Sequence, residues 1–450
     1  MSPLGKLRVA VIGAGAAGLC AARHLLSRQD IFAPPVVYEL TKHIGGTWVY
    51  EERVGSYDNG LPIHSSMYRD LSTNIPKEVM SFPDFPFAKH LPSFVHHTEV
   101  RKYLEQYCDH FRLWDHIQFD TMVDAVSPIK VKNGWKGLAW DVTSSDISDG
   151  LDRRKSIKET FDAVMVCNGH FYDPYIPSIP GLDKFKGVLM HSHEYRSAEP
   201  FSRKSVVLLG AGLSGLDLAM ELSSVNAKVI LSHGQNRLTG PLPAGVEQAC
   251  PVTRVLEDGT LEFQDGRQAT ADVFLFCTGY NFTFPFLDEQ VGVQVKDHLV
   301  FPLYKFLMPP AYPSLFVVGI CRAICPFPHF HVQSQFIISV LNGTFPLPSC
   351  EEMEKDFEMD IAARRARGVA TRHILKLDSE QWAYNEHLAK LGGFQPLPPY
   401  WSNLYESNKV FRARHMLSYK TYNYTVLNEK EWMVQNLQGQ QLQKPQLKQM

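Results

Sequence analysis

The sequence has no excess of basic residues. Its 450 residues include 45 lysines and arginines against 47 aspartates and glutamates, with a formal net charge of −2. A protein that neutralises the phosphates along a nucleic acid needs a surplus of positive charge. The balance therefore argues against a nucleic acid as partner.

Long apolar runs are also absent. The most apolar segment, residues 7–22, is shorter than the ~18 residues of a spanning helix and contains a glycine-rich turn. It predicts a strand, a turn and a helix of a mature domain rather than a signal peptide. Residues 436–450 are polar and rich in glutamine, which predicts a disordered tail with no membrane anchor.

The eight cysteines show no spacing typical of a redox pair or a zinc site. Cys321 and Cys325 are separated by three residues rather than two, and no second pair accompanies them. Several of the others lie in apolar runs, where a free cysteine acts as a small hydrophobe. We expect no metal and a reducing compartment, the cytoplasm.

A glycine-rich loop stands in the setting that dinucleotides require. The apolar strand 7–12 is followed by a loop and a helix through about Leu26, and a second strand ends at Glu39. The loop residues are Gly13, Gly15, Ala16, Ala17 and Gly18. The glycines allow a tight turn and close approach of a pyrophosphate to the helix N-terminus, and Glu39 can accept hydrogen bonds from a ribose.

The same pattern returns about 195 residues later. The strand 206–209 leads into a second loop, a helix through Leu222 and a strand over 227–231. The loop residues are Gly210, Gly212, Leu213, Ser214 and Gly215. This second strand is followed by Arg237 rather than by a carboxylate, and a cation attracts a 2′-phosphate, so the loop is predicted to prefer NADPH.

Two dinucleotide sites in one chain indicate electron transfer from a nicotinamide to a flavin. Two strands that each close with glycine, in 161–170 and 272–280, predict that the second domain is inserted into the first. The predicted fold class is α/β, with two Rossmann-like domains and a discontinuous FAD domain. The predicted segments are 1–175 and 279–435 for the FAD domain, 176–278 for the NADPH domain and 436–450 for the tail.

The segment between these domains carries a family pattern. Phe185, Gly187, His191 and Tyr195 match F-x-G-x-x-x-H-x-x-x-[FY]. With the two glycine loops, the turn 45–48, the segment 74–78, the return strand at Cys277–Tyr280 and Pro326-Phe-Pro near Gln333, the chain resembles the flavin-containing monooxygenase family over nearly its whole length. The polar tail makes it similar to the shorter soluble members of plants and insects.

The resemblance implies an NADPH- and O₂-dependent enzyme with FAD. Members oxygenate soft nitrogen or sulfur in amines, alkaloids and thioethers, giving N-oxides or S-oxides through a C4a-hydroperoxyflavin. An oligomer is compatible with this reading. The implied cofactor contacts outside the two loops are Gly46, Thr47, Trp48, Asn74, Val123 and Gln333.

Asn74 is the main catalytic candidate. A neutral amide can donate and accept at once, which suits a group between flavin and NADP⁺. The alternative is that Asn74 only caps the turn before Pro76. Tyr68, Trp48 and the aromatic run 82–87 could line the cleft, although aromatic residues at such spacing are more often core.

Two other functions stay open at this point, and the sequence argues against a third, the disulfide reductase. The Baeyer–Villiger relatives, which oxygenate ketones, have Trp where this chain has Tyr195. A disulfide reductase shares the two-dinucleotide architecture but needs a cysteine pair beside the flavin, and no cysteine lies between Cys20 and Cys108. The last is a non-catalytic sensor that binds FAD and NADPH. One departure from the family is His331, where members often carry Glu.

Overall fold

The computed structural model describes residues 5–234 and 237–445. The α-helices are α1 (Ala16–Leu26), α2 (Lys77–Met80), α3 (His97–His110), α4 (Leu213–Ser224), α5 (Pro326–Leu341), α6 (Cys350–Ala366), α7 (Glu380–Gly392) and α8 (Tyr400–Arg414). The strands are β1 (Val9–Ile12), β2 (Val36–Tyr38), β3 (Ile117–Gln118), β4 (Thr121–Trp135), β5 (Leu138–Asp146), β6 (Lys155–Phe161), β7 (Ala163–Val166), β8 (Val188–His191), β9 (Ser205–Leu209), β10 (Lys228–Ser232), β11 (Val246–Ala249), β12 (Val252–Val255), β13 (Leu261–Phe263), β14 (Gln268–Ala269), β15 (Val273–Phe276), β16 (Gln294–Lys296), β17 (Leu299–Phe301), β18 (Leu315–Val317), β19 (Asn423–Val426) and β20 (Trp432–Gln435).

The first large sheet is parallel throughout, with the strand order β18-β7-β1-β2-β3. β1 and β7 are buried along their whole length, which explains why they are continuous apolar runs in the sequence. The chain winds outward from β1 to β2 on one side and to β7 on the other. In such sheets ligands bind beyond the carboxyl ends of the strands at this switch point, and the first glycine loop follows β1 there.

The second large sheet repeats this arrangement. It is also parallel, with the order β11-β10-β9-β15-β8. The switch point lies between β9 and β15, and the second glycine loop follows β9. Both loops therefore occupy equivalent positions in their sheets.

The second sheet is inserted between strands of the first. Its strands β8 to β15 all fall in the chain between β7 and β18. Two antiparallel segments run side by side where the halves connect. The N–H of Tyr175 donates to the carbonyl of Gly279 at 2.9 Å, and the N–H of Asn281 donates to the carbonyl of Asp173 at 2.8 Å. The predicted fold class, two Rossmann-like α/β units with one inserted into the other, is confirmed.

The remaining strands form smaller antiparallel sheets. β4, β5 and β6 pack beside the first sheet, β12 to β14 beside the second, and β16–β17 and β19–β20 are hairpins. Over the described part of the chain, the helices are all too short or too polar to cross a membrane.

Part of the predicted tail differs from the expected disorder. Residues 436–445 turn back onto the last hairpin, where the N–H of Leu442 donates to the carbonyl of Val434 at 2.9 Å. The ammonium of Lys444 lies 4.6 Å from the ring centroid of Trp432. The apolar edge of the hairpin gives these polar residues a packing surface, while residues 446–450 of the tail lie outside the described residues.

Candidate active site

The first glycine loop is built so that glycine is required at two positions. Gly13 has φ +103°, and a Cβ there would lie 2.6 Å from the carbonyl oxygen of Cys167, at the end of β7. A Cβ on Gly18 would lie 1.8 Å from the carbonyl oxygen of Gly13. α1 then begins at Ala16 and no described side chain caps it, so its first N–H groups are available to an anion such as a pyrophosphate.

The turn at 45–48 packs directly against this loop. The N–H of Gly45 donates to the carbonyl of Ala14 at 3.0 Å, and a Cβ on Gly15 would lie 3.5 Å from the Cα of Gly46. The turn continues as a short 3₁₀ segment, Gly46–Trp48. The structure therefore brings the predicted residues Gly46, Thr47 and Trp48 beside the first loop.

A pair of side chains that the sequence analysis missed holds this turn. Nε2 of His64 donates to the carbonyl of Gly46 at 3.1 Å, and the hydroxyl of Tyr57 lies 3.1 Å from Nδ1 of the same ring. No short motif marks them. The signal that was available is their place in the chain, a few residues beyond the glycine turn.

Glu39 lies at the carboxyl end of β2 and is almost fully buried. One carboxylate oxygen accepts the N–H of Ala14 at 2.8 Å, and the other accepts the N–H and the hydroxyl of Thr41 at 2.9 and 2.8 Å. A carboxylate has about four lone-pair sites, so Glu39 retains acceptor capacity. The bonds fix it beside the loop, where a ribose would meet it.

The segment that contains Val123 is tied to the same place. The N–H of Thr121 donates to the carbonyl of Glu39 at 2.9 Å, and that of Asp120 donates to Thr41 at 3.1 Å. Val123 is half-buried two residues further along β4. A cavity of about 520 Å³ opens here, lined by residues 40–43, 49–51, 53, 57–59, 61, 101, 120 and 147–150.

The second loop reproduces the first in detail. Gly210 has φ +113°, and a Cβ there would lie 2.5 Å from the carbonyl oxygen of Cys277, at the end of β15. A Cβ on Gly215 would lie 1.9 Å from the carbonyl oxygen of Gly210. Gly212 precedes α4, which no described side chain caps, and a Cβ on Gly212 would meet nothing within 4 Å. The neighbouring residues Leu213 and Ser214 are exposed.

Arg237 lies beyond the end of β10. The last residue of that strand, Ser232, accepts the N–H of Gly210 at 2.8 Å, so the strand end and the loop are adjacent. Arg237 is exposed, and residues 235 and 236 before it lie outside the described residues. Its contact with a 2′-phosphate stays a prediction.

Asn74 is held by its backbone and keeps its amide available. The side chain of Asn408, buried on α8, donates to the carbonyl of Asn74 at 3.2 Å. Within the described residues the amide of Asn74 forms no hydrogen bond of its own, and the residue is half-buried. The following helix α2 has Pro76 as its N-cap, and the catalytic role of Asn74 stays a prediction.

The side chain of Gln333 lies in the core, and its contact with a cofactor stays a prediction. It is fully buried on α5. Its amide oxygen accepts the N–H of Gly319 at 2.9 Å, and its amide nitrogen donates to the hydroxyl of Tyr384 at 3.1 Å. The amide fixes the turn after β18, which is an internal role that the sequence distance of 14 residues concealed.

Several of the aromatic residues lie in the core, the alternative to lining a cleft. Phe82 and Phe87 belong to the core, and Phe82 stacks on Phe327 with ring centroids 4.9 Å apart. Trp48 is half-buried with its ring centroid 6.4 Å from that of Phe327. Tyr68 is buried and donates to Asp217 of α4 at 3.2 Å, so it joins the two halves rather than lining a cleft.

The segment 185–195 also joins the halves. His191 is buried, which lowers its pKa to about 4, and its Nδ1 accepts the N–H of His193 at 3.1 Å. His193 in turn contacts the carbonyl of Ile63 at 2.9 Å. These are the contacts of structural histidines.

Tyr195 packs edge-to-face on Tyr68 at 5.6 Å, and its hydroxyl donates to Glu221 of α4 at 2.8 Å. The pKa of Glu221 is raised to about 7, mainly by burial and also by the nearby Asp70 and Asp217, although the hydrogen bond from Tyr195 lowers it. The ammonium of Lys420 reaches across from the C-terminal region to Asp217 at 2.8 Å and to the carbonyl of Ser72 at 3.0 Å.

Arg196 completes this junction. Its guanidinium donates to the carbonyls of Glu51 at 2.6 Å and Arg53 at 3.1 Å in the first half. The sequence analysis missed Arg196, Lys420 and Asn408, because their partners lie more than a hundred residues away in the chain. Only Arg196 had a usable signal, its position directly after the family pattern.

Known proteins resemble the chain over almost its whole length. Residues 6–239 and 242–401 match the family model described as FMO-like, Flavin-binding monooxygenase-like. "Flavin-containing monooxygenase FMO GS-OX-like 4" of Arabidopsis thaliana is 35% identical over 438 residues, which cover 93% of this chain and 95% of the relative.

Solved structures agree with this match. S-allyl-L-cysteine S-oxygenase from Allium sativum superposes with a TM-score of 0.83 at 34% identity, covering 93% of this chain and 95% of that one. Tmm from Pelagibacter sp. strain HTCC7211 superposes with a TM-score of 0.79 at 28% identity, covering 92% and 93%.

Proposed function

Because the chain belongs to the flavin-binding monooxygenase-like family, we propose that its own substrates are small thioethers, which it converts to S-oxides. As a member of that family, the protein is an FAD- and NADPH-dependent enzyme that uses O₂ to oxygenate soft nitrogen or sulfur nucleophiles. The preference for sulfur is supported by the relatives, which include an S-oxygenase of S-allyl-L-cysteine at 34% identity.

The single observation that carries the cofactor assignment is the pair of equivalent glycine cradles. In each, a Cβ on the first glycine would clash with the carbonyl oxygen of the cysteine that follows the neighbouring strand, and a Cβ on the last glycine would clash with the carbonyl oxygen of the first. Each also opens onto a helix N-terminus that no described side chain caps. These features fit two dinucleotide pyrophosphates. We assign the first cradle to FAD and the second to NADPH.

The residues of the first half divide the binding of FAD between them. Bound FAD supplies the chemistry that activates O₂ with the electrons of NADPH. In our assignment the N–H groups of α1 hold its pyrophosphate, and Glu39 accepts from a ribose hydroxyl. The turn 45–48 and Val123 line the site, and the cavity beside Thr41 takes the adenosine end. We further propose that the NADPH-binding unit spans 176–278.

Asn74 is the residue we propose to act at the reacting end of the site. Its amide can donate to a developing negative charge and accept from an amide at the same time, and it adds no charge. Asn408 fixes the Asn74 backbone, which keeps the amide oriented.

Each of the eight cysteines is an unpaired thiol. We therefore propose the reducing cytoplasm as the compartment of the protein.

A substrate panel tests the sulfur preference. Purified FAD-loaded protein is given NADPH with S-allyl-L-cysteine, a tertiary amine or a cyclic ketone, and the products are identified by mass spectrometry. We expect the thioether to give the S-oxide with the highest kcat/KM and the ketone to give no lactone. Faster N-oxide formation would overturn the sulfur preference, and turnover of no substrate would favour the sensor.

A further inference from the structure

A buried group of metal-ligating side chains lies between α1 and α5, and the oxygenation reaction makes no use of it. Cys20 and His24 are four residues apart on α1 and so share one face of the helix. His331 faces them from α5. One donor atom from each residue lies within 4.8 Å of one from each of the others.

A fourth ligand stands at the edge of this group. One carboxylate oxygen of Asp84 lies 3.7 Å from Nδ1 of His331, and the other forms an ion pair with Arg23 at 2.7 Å. Arg23 therefore fixes the carboxylate while its other oxygen lies beside His331, the nearest of the three donors. This set, one sulfur, two imidazoles and one carboxylate, is of the kind that binds Zn²⁺.

The spacing is close to what a tetrahedral ion needs. With Zn–S near ~2.3 Å and Zn–N near ~2.0 Å, neighbouring ligand atoms in a tetrahedron are roughly 3.3–3.6 Å apart. Nε2 of His24 and Nδ1 of His331 are already 3.2 Å apart. Since every pair lies within 4.8 Å, the widest pair has to close by at most roughly 1.5 Å to reach this spacing.

Burial and charge also suit an ion. Cys20 is fully buried and His24 nearly so, and a neutral imidazole is a common metal ligand. A bound divalent cation would displace the thiol proton of Cys20. The thiolate and the Asp84 carboxylate then offset two of the three positive charges that the ion and Arg23 carry.

We propose that Cys20, His24, His331 and Asp84 form a tetrahedral site for Zn²⁺ that links α1 to α5. The site is independent of the proposed substrate. Since α1 begins at the first glycine loop, an ion here would anchor the helix that holds FAD.

Metal titration of the whole protein tests this proposal. FAD-loaded protein is treated with a chelator, then titrated with Zn²⁺ or Co²⁺. We expect one ion per chain, a rise in the thermal midpoint, and for Co²⁺ the intense absorption of a tetrahedral thiolate complex at longer wavelength than the flavin. An absence of stoichiometric uptake, or a Co²⁺ spectrum of octahedral oxygen ligation, would overturn the proposal.

Matched variants locate the site. His331→Gln and Cys20→Ser should each lower the affinity for the metal at least ~10-fold. His329→Gln, on the same helix but bonded to Asn385 at 2.9 Å, and Cys108→Ser should bind as the wild type does. FAD content reports folding, and if Cys20→Ser does not fold, His331→Gln decides. Unchanged affinity in His331→Gln would contradict the assignment.

Discussion

Substitution of Gly212 tests whether this glycine is needed for the fold or only for the cofactor. A Cβ at Gly212 would meet no atom within 4 Å, and its backbone, φ −72° and ψ −173°, is one that alanine adopts freely. The space beside it is where we place the NADPH pyrophosphate. Gly212→Ala should therefore leave the protein folded and lower its affinity for NADPH.

The magnitude follows from these two facts. Alanine in a compatible backbone stabilises by about 0.4–1 kcal/mol through the unfolded state, while it is a poorer N-cap than glycine, so the free energy of unfolding should change by less than about 1 kcal/mol. A methyl group forced into a close contact costs about 1–3 kcal/mol. At ~1.4 kcal/mol per factor of ten, the KM for NADPH should rise roughly 5- to 140-fold.

The assay measures NADPH binding, FAD content and thermal unfolding on the same preparations. Gly15→Ala is the matched control, because Gly15 precedes α1 as Gly212 precedes α4. Its methyl would make an ordinary 3.5 Å contact with Gly46. We expect it to lower FAD content without a direct effect on NADPH affinity. A Gly212→Ala protein with the wild-type KM for NADPH would refute the assignment of the second loop.

Further substitutions test other parts of the account. Gly18→Ala places a Cβ 1.8 Å from a backbone oxygen and should abolish FAD binding, at a cost of about 3 kcal/mol or more; a yellow, stable variant would contradict this. Asn74→Ala should keep FAD and stability within about 0.5 kcal/mol, while product per NADPH falls and hydrogen peroxide is released, and the exposed Asn403→Ala should leave this ratio unchanged; an unaltered ratio in Asn74→Ala excludes the catalytic role. In the folded protein the pKa of Glu221 is about 7, above the usual 4.5. Its contribution to the free energy of unfolding is therefore fully present below about pH 4.5 and is lost as the pH rises to about 7. Glu221→Gln removes that loss and should be more stable than the wild type by up to about 3 kcal/mol near pH 8, with no gain near pH 4.5, as chemical denaturation at both pH values would show; an equal difference at both would disprove the shift.

The sequence was sufficient for the features that are encoded locally. The glycine spacings predicted both loops, because the contacts from Gly13 to Gly18 and from Gly210 to Gly215 close within six residues. The strand before the first loop begins at Val9 rather than at residue 7, because Leu7 forms only an isolated bridge to Phe32.

The features that were missed depend on distant parts of the chain. The amide of Gln333 bonds to Gly319 and to Tyr384, which lies 51 residues further along the chain. Asn408 reaches Asn74 across 334 residues, and Lys420 reaches Ser72 across 348. Polar contacts of this range leave no period or spacing in a single sequence, so only the fold reveals them.

The central claim is that one chain binds FAD and NADPH together so that an oxygen atom of O₂ is transferred to a substrate. The most direct test supplies the FAD-loaded protein with NADPH, a thioether and ¹⁸O₂, and measures NADPH consumed beside labelled product. The account predicts one labelled oxygen per S-oxide and close to one S-oxide per NADPH. An S-oxide without the label, or NADPH oxidation with no oxygenated product, would contradict it.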